Sequence, residues 1–149
     1  MNKIIVGALV AVVMLSLFTG YMLLKPTAQP TRIEIAGVIL TVEFAKTPAD
    51  QQKGLSGRAS LPVDHGMLFI FDHEATWSFW MHEMQFPLDI IWFNSTRQVV
   101  FMQQDLQPCG AGQCPIYTPS LSALYVLEVN AGFAHTHNVT LGTTFAFVN

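Results

Sequence analysis

Two acidic residues stand in runs that leave little room for a solvated charge. Asp89 lies within Leu88-Asp89-Ile90-Ile91-Trp92-Phe93, and Glu128 within Val126-Leu127-Glu128-Val129, so an extended chain would be apolar on both faces around each. A carboxylate taken out of water either keeps its proton to higher pH or finds a partner. The natural cation is Arg58, at the tip of Gly54-Leu55-Ser56-Gly57-Arg58, because a guanidinium can bridge two carboxylates. Three roles follow from that set. An internal ion network would lock the loop to a sheet. A polar pocket walled by Arg58, Asp89 and Glu128 would bind a ligand. Two acids, one of them protonated, would serve hydrolysis of the glycosidase kind. Pairing with Arg58 would depress the acids' pKa values, whereas desolvation would raise them, and stability would respond to pH with opposite signs.

Trp77, Phe79, Trp80 and Trp92 lie close to these acids in sequence. Such a cluster builds a core, or, if Trp80 stands exposed at a strand end, a stacking surface for a flat ligand. His82 and Met84 are two apart and share one face of a strand, as do His135 and His137 if that stretch is extended. Imidazole and thioether suit copper(I). Only four of the seven methionines fall outside the N-terminal segment, and two of these, Met67 and Met102, sit in apolar runs, so the metal reading is the weaker one. No resident cofactor is implied. Ser56 lacks the spacing of a nucleophile elbow, and no glycine-rich phosphate loop is present, so the chain carries no catalytic signature and reads as a binding module before an enzyme.

Cys109 and Cys114 form the only cysteine pair, in Pro-Cys-Gly-Ala-Gly-Gln-Cys-Pro. Four intervening residues with two glycines can bend into a disulfide, which implies an oxidising compartment; two reduced thiols at a turn are the alternative.

The elements that must position these groups are mostly strands. Ile33 and Ile35 share a face, as do Val38, Leu40, Val42 and Phe44, with Ala36-Gly37 free to turn between the two runs. Further strands are expected at 67–71, 77–84, 88–94, 98–103, 124–129 and 143–148. One helix is well signalled: Thr47 as cap, Pro48 at the first position, Asp50 in the first turn and Gly54 at the end. The expected fold is mainly β, a single β-sandwich or partly closed barrel with one or two short helices, with mixed α+β as the alternative.

That domain, residues 32–149, follows a different material. Residues 4–24 form an apolar run of about 31 Å as a helix, enough to cross a bilayer core. The run is long for a cleaved signal and lacks a small-x-small site after it, so residues 1–25 read as an uncleaved membrane anchor, with a removed signal peptide as the alternative, and residues 26–31, Pro-Thr-Ala-Gln-Pro-Thr, as a stiff tether. Beyond residue 25, five Lys/Arg stand against ten Asp/Glu, a net of −5, which excludes nucleic-acid binding through a basic face. The expected setting is a single-pass protein of the cytoplasmic membrane, its domain on the extracytoplasmic side, with a small molecule or an envelope protein as partner.

Several blocks together resemble a known family: Gly54-Leu55-Ser56-Gly57-Arg58, Gly66-Met67-Leu68-Phe69-Ile70-Phe71, Phe79-Trp80-Met81, Phe86-Pro87-Leu88-Asp89-Ile90-Ile91-Trp92-Phe93, Pro108-Cys109 and Tyr125-Val126-Leu127-Glu128-Val129-Asn130-Ala131-Gly132. Their order is similar to that of the domain of unknown function 192, over about residues 32–149. The resemblance implies a small β-rich fold, often exported or anchored, and no established activity. His82-Glu83-Met84 departs from the Lys-Asn-Thr that often follows Phe-Trp-Met in that family, so no role of that lysine or threonine carries over.

Overall fold

Alternation of apolar and polar residues is obeyed almost from the first described residue. A computed structural model describes residues 31–110 and 112–148; the expected anchor over residues 1–25 and the tether up to residue 30 lie outside them. Among the described residues no helix is long and apolar enough to cross a membrane. Strands β1 (Thr31–Ile35) and β2 (Val38–Ala45) form a hairpin. Its two-residue turn is Ala36-Gly37, with φ of 51° and 78°, the left-handed pair that matches the twist of the strands. Helix α1 (Pro48–Lys53) starts as its sequence dictates. The Thr47 hydroxyl accepts from the Asp50 amide at 3.2 Å and donates to the Asp50 carboxylate at 2.6 Å, with Pro48 opening the helix.

The chain then crosses over to β3 (His65–Ala75), which runs parallel to β2. Short β4 (Phe79–Trp80) is followed by β5 (Leu88–Phe93), β6 (Val99–Leu106), short β7 (Ile116–Tyr117), β8 (Ala123–Asn130), helix α2 (Phe133–Thr136) and β9 (Phe145–Val148). Seven strands make one sheet in the order β6-β5-β8-β3-β2-β1-β9, and β4 and β7 pair in a separate two-stranded sheet. The large sheet curls until its edges touch at one corner. There Gln98 bridges Thr144, and the Val99 amide donates to the Thr143 carbonyl at 2.8 Å. That isolated bridge does not make a closed barrel. The expectation of a mainly β domain with two short helices therefore holds in its coarse form, as one curled sheet with a small second sheet.

Two strand expectations need correction. Only Phe79–Trp80 of residues 77–84 is paired as strand, and Glu83, at φ of 57°, turns the backbone between His82 and Met84. Residues 135–137 are not extended: His135 lies in α2 and His137 caps its end.

Each face of the sheet carries its own core. The concave side holds Ile33, Leu40, Leu68, Ile91, Phe93 and Leu127 with their neighbours, closed by Phe133 of α2 and Phe145 of β9. The outer side holds Met67, Phe69, Ile90, Trp92 and Val126, covered by the 54–61 loop and by Met81 and Met84. β5 is buried along its whole length because it is covered on both sides.

Candidate functional site

Register decides where the two acids go. On antiparallel strands, directly opposed residues project to the same face. Asp89 opposes Val129, a member of the concave core, whereas Glu128 opposes Ile90 on β5 and Met67 on β3, members of the outer core. Asp89 and Glu128 thus lie on opposite faces of one sheet. This corrects the expectation that both line one wall with Arg58, and it removes the two-acid hydrolase, since no single substrate can sit between them.

Asp89 is fully buried and fully engaged. One carboxylate oxygen accepts the amides of Asp105 at 2.9 Å and Gly132 at 3.2 Å, and the other accepts the amide of Ala134 at 2.8 Å. It satisfies the opening amides of α2 and ties that helix and the end of β6 to β5. Its partners are backbone, and its work is structural.

Arg58 does not reach either acid by hydrogen bond. Its guanidinium makes a two-point pair with Glu43 of β2, at 2.5 and 2.7 Å. That hydrogen bond holds the Glu43 carboxyl below the usual range and raises Arg58. The loop carrying Arg58 is pinned elsewhere by the Ser56 hydroxyl donating to the His82 carbonyl at 3.1 Å and the Gly57 amide donating to the Glu83 carbonyl at 3.0 Å.

Glu128 has the opposite character. It is 5% exposed, and its Oε2 is buried without a hydrogen-bond partner among the described residues. Burial pushes the carboxyl up from 4.5 to about 8, against the opposing pull of the Arg58 charge. Of the two possible signs, desolvation wins, because Arg58 is already committed to Glu43. The carboxyl is mostly protonated at neutral pH.

Glu128 lines a pocket of about 290 Å³ on the outer face, at the small end of ligand sites. Phe69, Phe71, Trp77, Phe79 and Trp80 give it aromatic walls. The rim opposite is the end of α1, from Gln51 to Lys53, followed by Gly54 and Ser56. Gln51 fixes α1 there by donating to the Ile70 carbonyl at 3.0 Å, where the β3–β8 pairing shifts register. Gly54 is needed at its place: φ is +47°, and an added Cβ would lie 3.2 Å from the Phe69 ring and 3.6 Å from Glu128 Oε2. Trp77 stacks on Phe71 with centroids 4.0 Å apart, and its buried Nε1 is also unpartnered. Two buried orphan polar atoms therefore belong to residues of the same pocket.

Trp80, 54% exposed, stands at the mouth, paired through β4 with β7, and Trp92 is a fully buried core residue whose Nε1 donates to the Trp77 carbonyl at 2.8 Å. Met84 lines the pocket from the outer core, while His82 is exposed and bridges Cys109. The turn at Glu83 means that His82 and Met84 are not same-face residues of a strand, the geometry on which the copper reading rested, although both border one surface depression. Among the described residues no three His, Cys, Asp or Glu side chains cluster to hold a metal ion. Cys109 and Cys114 form a disulfide with Cα atoms 5.5 Å apart, closing the loop that leads into β7. The sequence reading named Glu128 and Trp80 but missed Phe69, Phe71 and the α1 end. The alternation in Met67-Leu68-Phe69-Ile70-Phe71, which sets Met67, Phe69 and Phe71 on one face, was the available signal.

A curled β-sheet with an aromatic pocket over one buried acid is thus the class of domain that fold and site define. The chain belongs to the DUF192 family, described only as an uncharacterized ACR, whose model matches residues 31–147. A UPF0127 protein of Thermococcus gammatolerans is 32% identical over 103 residues, covering 68% of this chain and 62% of that relative. The matched stretch thus spans less than two thirds of the relative's length. Among solved structures, a protein of unknown function from Novosphingobium aromaticivorans superposes with a TM-score of 0.73 at 27% identity, covering 83% of this chain and 89% of the other. A Sinorhizobium meliloti protein described as a candidate transcription regulator gives a TM-score of 0.72 at 27% identity, over 80% and 94% of the two chains.

Proposed function

We propose that the domain binds one small organic ligand in the aromatic pocket over Glu128, and that it does so on the extracytoplasmic side of a membrane to which residues 4–24 anchor it. The observation that carries the binding reading is the contrast between the two acids. Asp89 has three backbone donors, so its burial is explained by the fold. Glu128 Oε2 has no hydrogen-bond partner among the described residues, so its burial costs stability without a structural return there. A perturbed, unpaired acid set in a cleft is the expected signature of a binding group. The apolar run, the tether and the disulfide support the anchored, oxidising setting. The regulator description of the Sinorhizobium relative is not taken over, because the net charge of −5 beyond residue 25 opposes contact with nucleic-acid phosphates.

The test is a thermal-shift screen of small metabolites against the wild type and a Ser78→Trp variant. Ser78 lines the pocket and is exposed, so a larger side chain there fills the cavity without entering the core. At least one compound should stabilise the wild type and leave the filled variant unmoved. If every stabilising compound acts equally on both, the pocket is not the site.

A further inference from the structure

We infer that the ligand is a small organic ammonium whose positive group docks against Glu128 between the aromatic walls, an inference that rests on the pocket reading above. The chemistry of the lining favours that charge over the others. Aromatic faces present negative potential and attract cations, the more so when desolvated. Phe69, Trp77 and Phe79 supply such rings beside the acid, with Phe69 and Phe79 packed edge to face at 4.8 Å. The same faces oppose a bare carboxylate, so what Glu128 lacks is a positive partner.

The neighbouring elements do not provide one. Met67 of β3 and Ile90 of β5 oppose Glu128 with apolar side chains. Arg58 of the loop is held by Glu43 of β2 through both terminal guanidinium nitrogens. Lys53 lines the rim from α1 and is exposed. From the segment bearing Trp77, Ser78, Phe79, Trp80 and Met84, no charged side chain faces the pocket. An anionic ligand would be repelled by the acid once ionised and would find attraction only from the exposed Lys53 at the rim and the Trp77 Nε1 donor. A neutral one could gain hydrogen bonds to the Glu128 carboxyl and from the Trp77 Nε1 donor, but no ion pair. An ammonium gains the ion pair and the ring contacts together, and it displaces the proton of Glu128 to solvent as the carboxylate forms.

That displaced proton is the readout. Calorimetry on the full-length chain, in buffers of differing ionisation enthalpy, would compare phenethylamine, a cation at neutral pH, with its alcohol analogue phenylethanol and its carboxylate analogue phenylpropionate. With Glu128 at about 8, cation binding at pH 7 should release about 0.9 proton per ligand. Glu128→Gln keeps the shape of the protonated acid, so it is expected to fold. It should weaken phenethylamine at least ~10-fold, abolish the proton release and change phenylethanol less than ~3-fold. If phenylethanol or phenylpropionate binds the wild type as tightly as phenethylamine, or phenethylamine binds without proton release, the ammonium class is overturned while the pocket reading stands. If none of the three binds, both fall.

Discussion

Replacing Glu128 by glutamine should stabilise this protein at neutral pH, although it removes a residue buried in the middle of its largest sheet. Burial holds the folded carboxyl near 8, against an ordinary value of 4.5. A group whose pKa is raised by folding contributes its full stability below the unfolded value and loses it as pH rises through the folded one. Across that window each pH unit costs about 1.4 kcal/mol. The folded state should therefore have lost about 3 kcal/mol from this residue by pH 7, relative to pH 4.5. Glutamine keeps the size of the neutral acid, remains uncharged and does not titrate. Glu43, Asp64 and Asp72, whose pKa values are lowered by hydrogen bonds to Arg58, His65 and His73, act in the opposite sense and at lower pH, and they are common to both proteins. The difference between wild type and variant thus isolates Glu128. Urea unfolding of residues 26–149, followed by tryptophan fluorescence from about pH 5 to about pH 8, should show the variant gaining steadily on the wild type. A variant less stable than the wild type at pH 7, or a difference that stays flat with pH, would refute the assignment of Glu128 as an unpaired, mostly protonated acid.

The other acid should behave in reverse. Asp89→Ala strands three backbone amides inside the fold and should destabilise by at least ~3 kcal/mol in the same urea assay, with no recovery at any pH. Arg58→Ala removes a part-exposed ion pair with Glu43 and should cost less than ~1 kcal/mol, so a loss of several kcal/mol would mean the loop depends on it far more than its geometry allows. Trp80→Ala should leave the unfolding midpoint nearly unchanged, since the ring is half exposed, yet weaken any ligand found by the thermal-shift screen. Opening the Cys109–Cys114 disulfide by paired serine substitution should cost about 2 kcal/mol, the loop-entropy value for so short a ring; an unchanged midpoint would show the loop ordered without its crosslink.

Local chemistry made much of the scaffold readable. The capping of α1 by Thr47, Pro48 and Asp50 is written in four adjacent residues, and the Ala36-Gly37 turn in two. These features depend on neighbours in the chain, so a sequence states them directly. The failures fell where distant segments decide. Residues 77–84 alternate like a strand, but only Phe79–Trp80 finds a partner, in a two-residue strand that the sequence marks weakly. His135 and His137 look extended, but the amides preceding them are held by a carboxylate more than forty residues away, and a turn of helix results.

Asp89 and Glu128 show the division most sharply. The sequence by itself determined that each is an acid in an apolar strand, buried and in need of an explanation. It also determined the face each takes relative to its own neighbours, because side chains alternate along a strand. It did not determine how one strand's faces map onto the next, since that mapping is set by register, and register by the packing of both cores. Only the tertiary structure sent Asp89 to the concave side among backbone donors, sent Glu128 to the outer side beneath the aromatic walls, and gave Arg58 to Glu43 instead of either. A shift of one residue in that pairing would have put both acids on one face of the sheet, the arrangement a two-acid site requires.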